Sequence, residues 1–472
     1  MKRGPSDMRH RLRVDRAVAD RGARSQRWKG SPRDPGYAKT AAAWGHRIPI
    51  LSDPLPVDCG RRGPSRRRAR CTLRHLAARA PAASLASMRH PHSIVGHWNG
   101  GWDESGIQRW SSALRARLDA PTVSLGVLFA TPAFAPHATD LLEVIRLHAR
   151  VSRLVGCSTA VVVTDGREHE SGEGLSLGLY HLPGAELHAC HLDGEAAMGS
   201  AAIPGKPRGW LVFADPFHMD GEQWLGRWND LHPGEPMVGG LASGDPAVQK
   251  TQLYLDGEVH ETGLVALAVG GAVSLEPVVS QGCTPIGDTW TVTRTDRHFI
   301  LTIGNRPAYS VLVETFNGLS REDQARTQGN LFVGFASSEY REEFRRGDFL
   351  VRHLLGVDPG QGMIAVGALP RPGQTIQFQR RDAAAASEDL AWMLARTREK
   401  IAGRAILGGV LAVCLGRGQG LFGSAHHDAA LIQEQLGPVP VAGFYCNGEI
   451  GPVGNRSFVH GYTAALALFV GT

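Results

Sequence analysis

The sequence contains no CxxC pair and no HExxH. It also lacks any apolar run long enough to cross a bilayer. The longest such run, AILGGVLAVCLG at 405–416, is 12 residues, against the roughly 20 that a membrane-spanning helix needs. Residues 1–30 have no apolar stretch of the kind found in a secretory signal. The seven cysteines, at 59, 71, 157, 190, 283, 414 and 446, are irregularly spaced. Five of them lie beyond residue 90, an odd number that argues against a disulfide framework and for a reducing cytosol. Glutamate is missing from the first 90 residues, which hold 22 Lys and Arg against 6 Asp, a net of +16. The rest holds 29 bases against 39 acids, a net of −10, so the formal +6 of the whole chain belongs to its leader. A nucleic-acid-binding surface on the folded part is therefore unsupported, as is a membrane span. A cytoplasmic location is expected.

Residues 1–90 are dense in Arg, Pro and Gly, as in RGARSQRWKGSPRDPG and CGRRGPSRRRAR, and show no apolar periodicity. Such a segment buries too little surface to offset chain entropy, so disorder is expected. An Arg-rich transit peptide and a basic arm touching nucleic acid or anionic lipid are two readings. The composition changes beside Met88, which favours translation starting there; an intact mass of native protein that includes residues 1–87 would refute this.

A chain of 472 residues allows two or more domains. Three segments share one pattern: apolar strand, amphipathic helix, short strand with a small residue, then a further strand. SLGVLFAT (124–131) leads to a helix near 139–154, then VGCSTAVVV and GLSLGLYHL. GWLVFAD (209–215) leads to a helix near 221–231, then MVGGLASGD, TQLYLDGEV and GLVALAVGG. GGVLAVCLG (408–416) leads to a helix near 425–436, then VAGFYCNGEIG and TAALALFVG. Asp220 is placed to cap the second helix, and Ser424 or Asp428 the third. The Asp-Gly pairs at 165–166 and 256–257 predict hairpins. Segments 273–303 and 349–381 read as meanders, a helix is expected near 382–401, and 314–330 reads as a loop at a domain boundary. The expected fold is α+β or mixed α/β, with domains at 95–320 and 325–472.

In the third unit, two strands joined through a helix should run parallel. The loops leaving their ends, CLGRGQGLFG and CNGEIGP, should then share a rim, where ligands bind in open α/β sheets. This places Arg417, Asn447 and Glu449 at the rim and Cys414 and Cys446 at the strand ends. Arg417 with Glu449 suits either a structural pair or ligand contact. The two cysteines suit either small buried hydrophobes or a thiol nucleophile. His460 suits either a base for Cys446, with no third group to orient it, or a satisfied core or surface histidine. Cys157 and Ser158, in VGCST, are candidates for a second pocket. His188, Cys190 and His191 in LHACH, and the adjacent His426 and His427, form no metal pattern. No catalytic set, metal or cofactor is assigned.

CLGRGQGLFG followed by VPVAGFYCNGEIGPVG and FVHGYTAAL resembles the C-terminal domain of FIST proteins (F-box and intracellular signal transduction). GDFLVRHLLGVDPGQGMIAVG and QFQRRDAAAASEDL resemble its earlier part. VGCSTAVVV and VGGLASGD…VSQGCTPIGDTWTVT resemble the N-terminal FIST domain. The resemblance covers about residues 95–472. It implies a sensory module that binds a small ligand such as an amino acid, without established catalytic residues. No output domain is attached here, so a separate signalling partner is expected. The leading expectation is a non-catalytic binder of a small polar metabolite, with Arg417 meeting an anionic group and Glu449 a cationic one. A Cys-dependent enzyme and a protein-interaction scaffold are the alternatives.

Overall fold

Three short strands each carry a glycine where the backbone of a parallel neighbour leaves no room for a side chain. Gly156, Gly239 and Gly443 stand in register with Leu128, Val212 and Leu411. A Cβ on them would lie 1.8, 1.8 and 2.6 Å from the carbonyl oxygens of those partners. The shared constraint marks a threefold internal repeat. The computed structural model describes residues 92–194, 206–245, 248–340 and 343–472. The expectations for the leader, its disorder and the Met88 start, lie outside these residues.

Each repeat supplies an edge strand, a parallel pair joined through a helix, a hairpin and a closing strand. The first sheet runs Ser93–Asn99, Gly174–Tyr180, Leu125–Ala130, Leu154–Ser158, Leu253–Leu255, Glu258–His260. The second runs Ala185–Leu192, Leu264–Gly271, Trp210–Ala214, Met237–Leu241, Glu449–Val453, Arg456–His460. The third runs Val273–Ser280, Ala464–Gly471, Ile406–Cys414, Val441–Cys446, Val162–Thr164, Arg167–His169. In every sheet the third and fourth strands are parallel and the other neighbours antiparallel. In every sheet the terminal hairpin also comes from another repeat: the first sheet takes the second repeat's, the second takes the third's, and the third takes the first's. The hairpins turn at Asp165-Gly166, Asp256-Gly257 and Gly454-Asn455, and both aspartates adopt positive φ as such turns require.

The three sheets face one another across a common core. Phe129, Phe213 and Phe444, one from each sheet, meet there, with ring centroids 4.5 to 5.6 Å apart. Outer faces are covered by helices: Glu104–Arg117 and Ala138–His148 on the first sheet, Gly221–Leu231 on the second, Ala383–Ile401 and His427–Leu436 on the third. Asp220 caps the helix Gly221–Leu231 as expected, accepting from the Gln223 N–H. The third helix departs from expectation. Neither Ser424 nor Asp428 caps it; His426 precedes it in the left-handed conformation without a side-chain cap, because Asp428 is drawn inward by another partner.

Between Ser280 and Ala383 a separate barrel interrupts the third repeat. Its strands run Cys283–Asp296, Thr375–Arg381, Leu331–Ala336, Phe349–Asp358, Met363–Val366, Phe299–Ile303, all antiparallel. The first also pairs with the last, closing six strands into a ring. The segment read as a meander from residue 273 is thus divided: Val273–Ser280 is the edge of the third sheet, and the barrel begins at Cys283. Residues 314–330, expected as a loop, belong largely to two helices, Ala308–Asn317 and Arg321–Thr327. Ala308, Val311 and Leu312 of the first enter the barrel core. Ser320 caps the second through the Asp323 N–H. The fold is α+β, and strands from before residue 320 share sheets with strands from beyond 325.

Candidate functional site

Arg417 follows the strand Ile406–Cys414, and its side chain is fully buried. It forms a forked pair with Asp428, Nε to Oδ2 at 2.7 Å and Nη2 to Oδ1 at 2.8 Å, and Nη1 donates to the Tyr462 carbonyl at 3.2 Å. Burial alone would raise the Asp428 carboxyl, but the Arg417 charge and its bonds outweigh that and hold it at about 2. The partner of Arg417 is therefore Asp428, not Glu449. Glu168, from the hairpin that the first repeat lends to this sheet, fills the space beside them. It accepts from the Tyr445 hydroxyl at 3.1 Å and from the Ala429 N–H at 3.0 Å, at the start of the helix His427–Leu436. The helix N-terminus, where a ligand anion would sit, is occupied by the protein's own carboxylate.

Glu449 is also fully buried. It accepts from the Cys446 thiol at 3.1 Å and from the Thr463 N–H at 2.9 Å. Burial pushes its pKa up to about 7, against the bonds from Cys446 and Thr463 and the nearby Arg417 charge. Cys414 stands in register with Cys446 on the parallel strand and accepts from the Tyr462 N–H. Burial, then Glu449, raises the Cys414 thiol to about 12, and the same causes raise that of Cys446. Both cysteines are thiols, not thiolates, at neutral pH.

The remaining sequence candidates each have partners within the protein. His460, opposite Glu449 in its hairpin, has its Nε2 against the Gly451 carbonyl at 2.9 Å; burial lowers its pKa to about 4. Asn447 donates to the Ala242 carbonyl. Cys157 is part of the central core, and Ser158 donates to the Ser243 carbonyl at 2.9 Å. Ser158 thus ties the strand ends of two repeats together, and Thr159, bonded to the Tyr445 carbonyl, ties in the third. His191 stacks on His260 at 3.7 Å, and no metal cluster of three ligands forms among the described residues.

Sequence reasoning missed the groups that the barrel brings to the third sheet. Arg381, 7% exposed, lies with its guanidinium 3.5 Å from the Tyr462 ring centroid, and Nη2 donates to the Gly416 carbonyl. Its Nε is buried without a partner. Asp389, from the helix Ala383–Ile401, accepts from the Ser280 hydroxyl and the Gly282 N–H. A cavity of about 20 Å3, room for one water, lies against Asp389, Gln281, Cys283 and Gln379. Gln379 is 2% exposed, with its Nε2 unpartnered. Between sheet and barrel, Arg381 with its unpartnered Nε thus lies near Cys414, which in turn lies near Glu449, while Gln379 lines the small cavity and neither Arg381 nor Glu449 does. The only signal of this arrangement in the sequence was the charged pair in QFQRRD; their direction depended on the barrel closing.

A model of the FIST N domain matches residues 124–306 and a model of the FIST C domain matches 308–452. Uncharacterized proteins of Mycobacterium tuberculosis, from strains CDC 1551 and ATCC 25618 / H37Rv, are each 36% identical over 362 residues, covering 75% of this chain and 94% of the relative. An uncharacterized protein of Mycobacterium bovis is 36% identical over the same length, covering 93% of the relative. The glycine-marked repeats and the barrel set into the third of them are thus the fold of a chain that belongs to the FIST family.

Proposed function

We propose that the protein binds a small polar metabolite of the amino-acid class in the seam between the third sheet and the barrel, without catalysis, and signals through a separate protein. One observation carries the reading: Arg381, its Nε unpartnered, and Glu449 both lie near Cys414, out of water, at the end of a parallel strand pair. Buried polar atoms without partners are rare, because each costs about 1–3 kcal/mol. The unpartnered Nε of Arg381 is a donor for a carboxylate. Glu449, with its pKa near neutrality, accepts an ammonium group. Arg381 takes the anion-binding role first expected of Arg417, whose fork is committed to Asp428. Thiols held protonated favour binding over nucleophilic chemistry. The cavity holds only a water, so ligand entry requires the barrel to part from the sheet, with the connections near Gly282 and Asp382 as hinges.

A thermal-shift screen of the twenty proteinogenic amino acids tests the proposal, since a ligand that prefers the native state raises the melting point. For a hit, calorimetry should show about tenfold or greater weakening in Arg381→Ala and in Glu449→Gln. Unchanged affinity in both variants would remove the seam as the site, and no hit would sink the ligand class.

A further inference from the structure

The geometry points to a second ligand site, distinct from the seam, for a small phosphate monoester. A groove of about 590 Å3 opens beside the start of the strand Trp210–Ala214, the edge strand Val273–Ser280 and the end of the helix Ala383–Ile401. That volume is within the range of small-molecule sites, about 300–1,000 Å3. Three cations line it: Arg208, Lys400 and Arg404. The single carboxylate on its wall, Glu276, is bonded to Lys400. Arg208 and Arg404 have no carboxylate partner among the described residues, and Arg404 uses only its Nε, on the Ile401 carbonyl at 3.1 Å. The turn Gly454–Asn455 closes one side.

Basic residues at a helix end ordinarily offset the negative end of its dipole, which accounts for Lys400 and Arg404. It does not account for Arg208, which arrives from a different sheet. Two guanidinium groups facing one concave space suit a tetrahedral dianion, because each planar fork can donate two bonds to phosphate oxygens. The chain beyond residue 90 has a net charge of −10, and such a field opposes a long polyanion while tolerating a small one in a local basic pocket. The ligand class is therefore a phosphorylated metabolite, not a nucleic acid.

Calorimetry on the full chain with glycerol 3-phosphate, in about 0.15 M KCl to screen loose ion pairing, tests the site. Saturable binding is expected, weakened about tenfold or more in Arg208→Gln/Arg404→Gln and unchanged in Glu449→Gln, which keeps this result separate from the seam. Melting of the double variant without anion should match the parent, because both side chains are exposed. If it melts lower, Arg208→Gln alone carries the test and must still weaken binding. Equal affinity in parent and variants would overturn the proposal, as would no saturable heat with glycerol 3-phosphate.

Discussion

The Arg417–Asp428 pair shows how a charged residue expected at a rim beside Glu449 can instead be buried against a different carboxylate. Both side chains are wholly inaccessible, so removing one leaves an uncompensated charge. Arg417→Ala is expected to cost about 3–5 kcal/mol, measured by urea denaturation, whereas an apolar double replacement such as Arg417→Met/Asp428→Leu should recover much of that loss. The titrating groups set a stability window. His460 and His169, each lowered to about 4 chiefly by burial, are neutral in the fold and bind protons more readily when unfolded. Their contribution is present above about 6.5 and is lost as pH falls from there toward 4. Glu449, raised to about 7, acts oppositely. Its contribution is full below about 4.5 and is lost as pH rises through 7. Glu449→Gln should therefore flatten the alkaline side of the melting profile between pH 5 and 8 and leave the acid side unchanged; an identical slope in the variant would contradict this. The histidines at the hairpin ends, His169, His260 and His460, recur once per repeat.

Among the elements, some local signals formed as the sequence placed them, while the cap read at Ser424 or Asp428 did not. Asp220 caps its helix, and the Asp-Gly turns make hairpins, because each is decided by neighbours a few residues away. The helix Ala308–Asn317 was missed because it starts at Pro307 with no side-chain cap, and its apolar face is short. Its formation depends on the barrel it plugs. The glycines of the parallel strands are the most sensitive positions. Gly239 has φ +152 and its absent Cβ would lie 1.8 Å from the Val212 oxygen. Gly239→Ala should destabilise by about 4 kcal/mol or more, seen as a fall in the thermal midpoint or loss of soluble protein. Asp220→Ala, a lost cap, should cost only about 1 kcal/mol.

At the scale of the whole molecule, the exchange of hairpins binds distant parts of the chain together. Val162–Thr164 pairs with Val441–Cys446, and Val273–Ser280 pairs along its length with Ala464–Gly471. A fragment of residues 95–320 would expose both as unpaired edges, which invites aggregation. Separately expressed 95–320 and 325–472 should each be insoluble or aggregated on size exclusion, while coexpression should restore a complex. Two soluble monomeric halves would show that the exchanged strands are dispensable. Residue types and spacing determined the repeat, its strand–helix–strand units and the Asp-Gly turns, since these follow from periodicity and short-range sterics. Tertiary structure alone decided which sheet receives each hairpin, and so that Glu168 occupies the helix start beside Asp428. It also decided that Arg381 reaches Tyr462 and Gly416 from the barrel. Such pairings join residues from tens to hundreds of positions apart, and nothing in the local chemistry of either partner specifies the other.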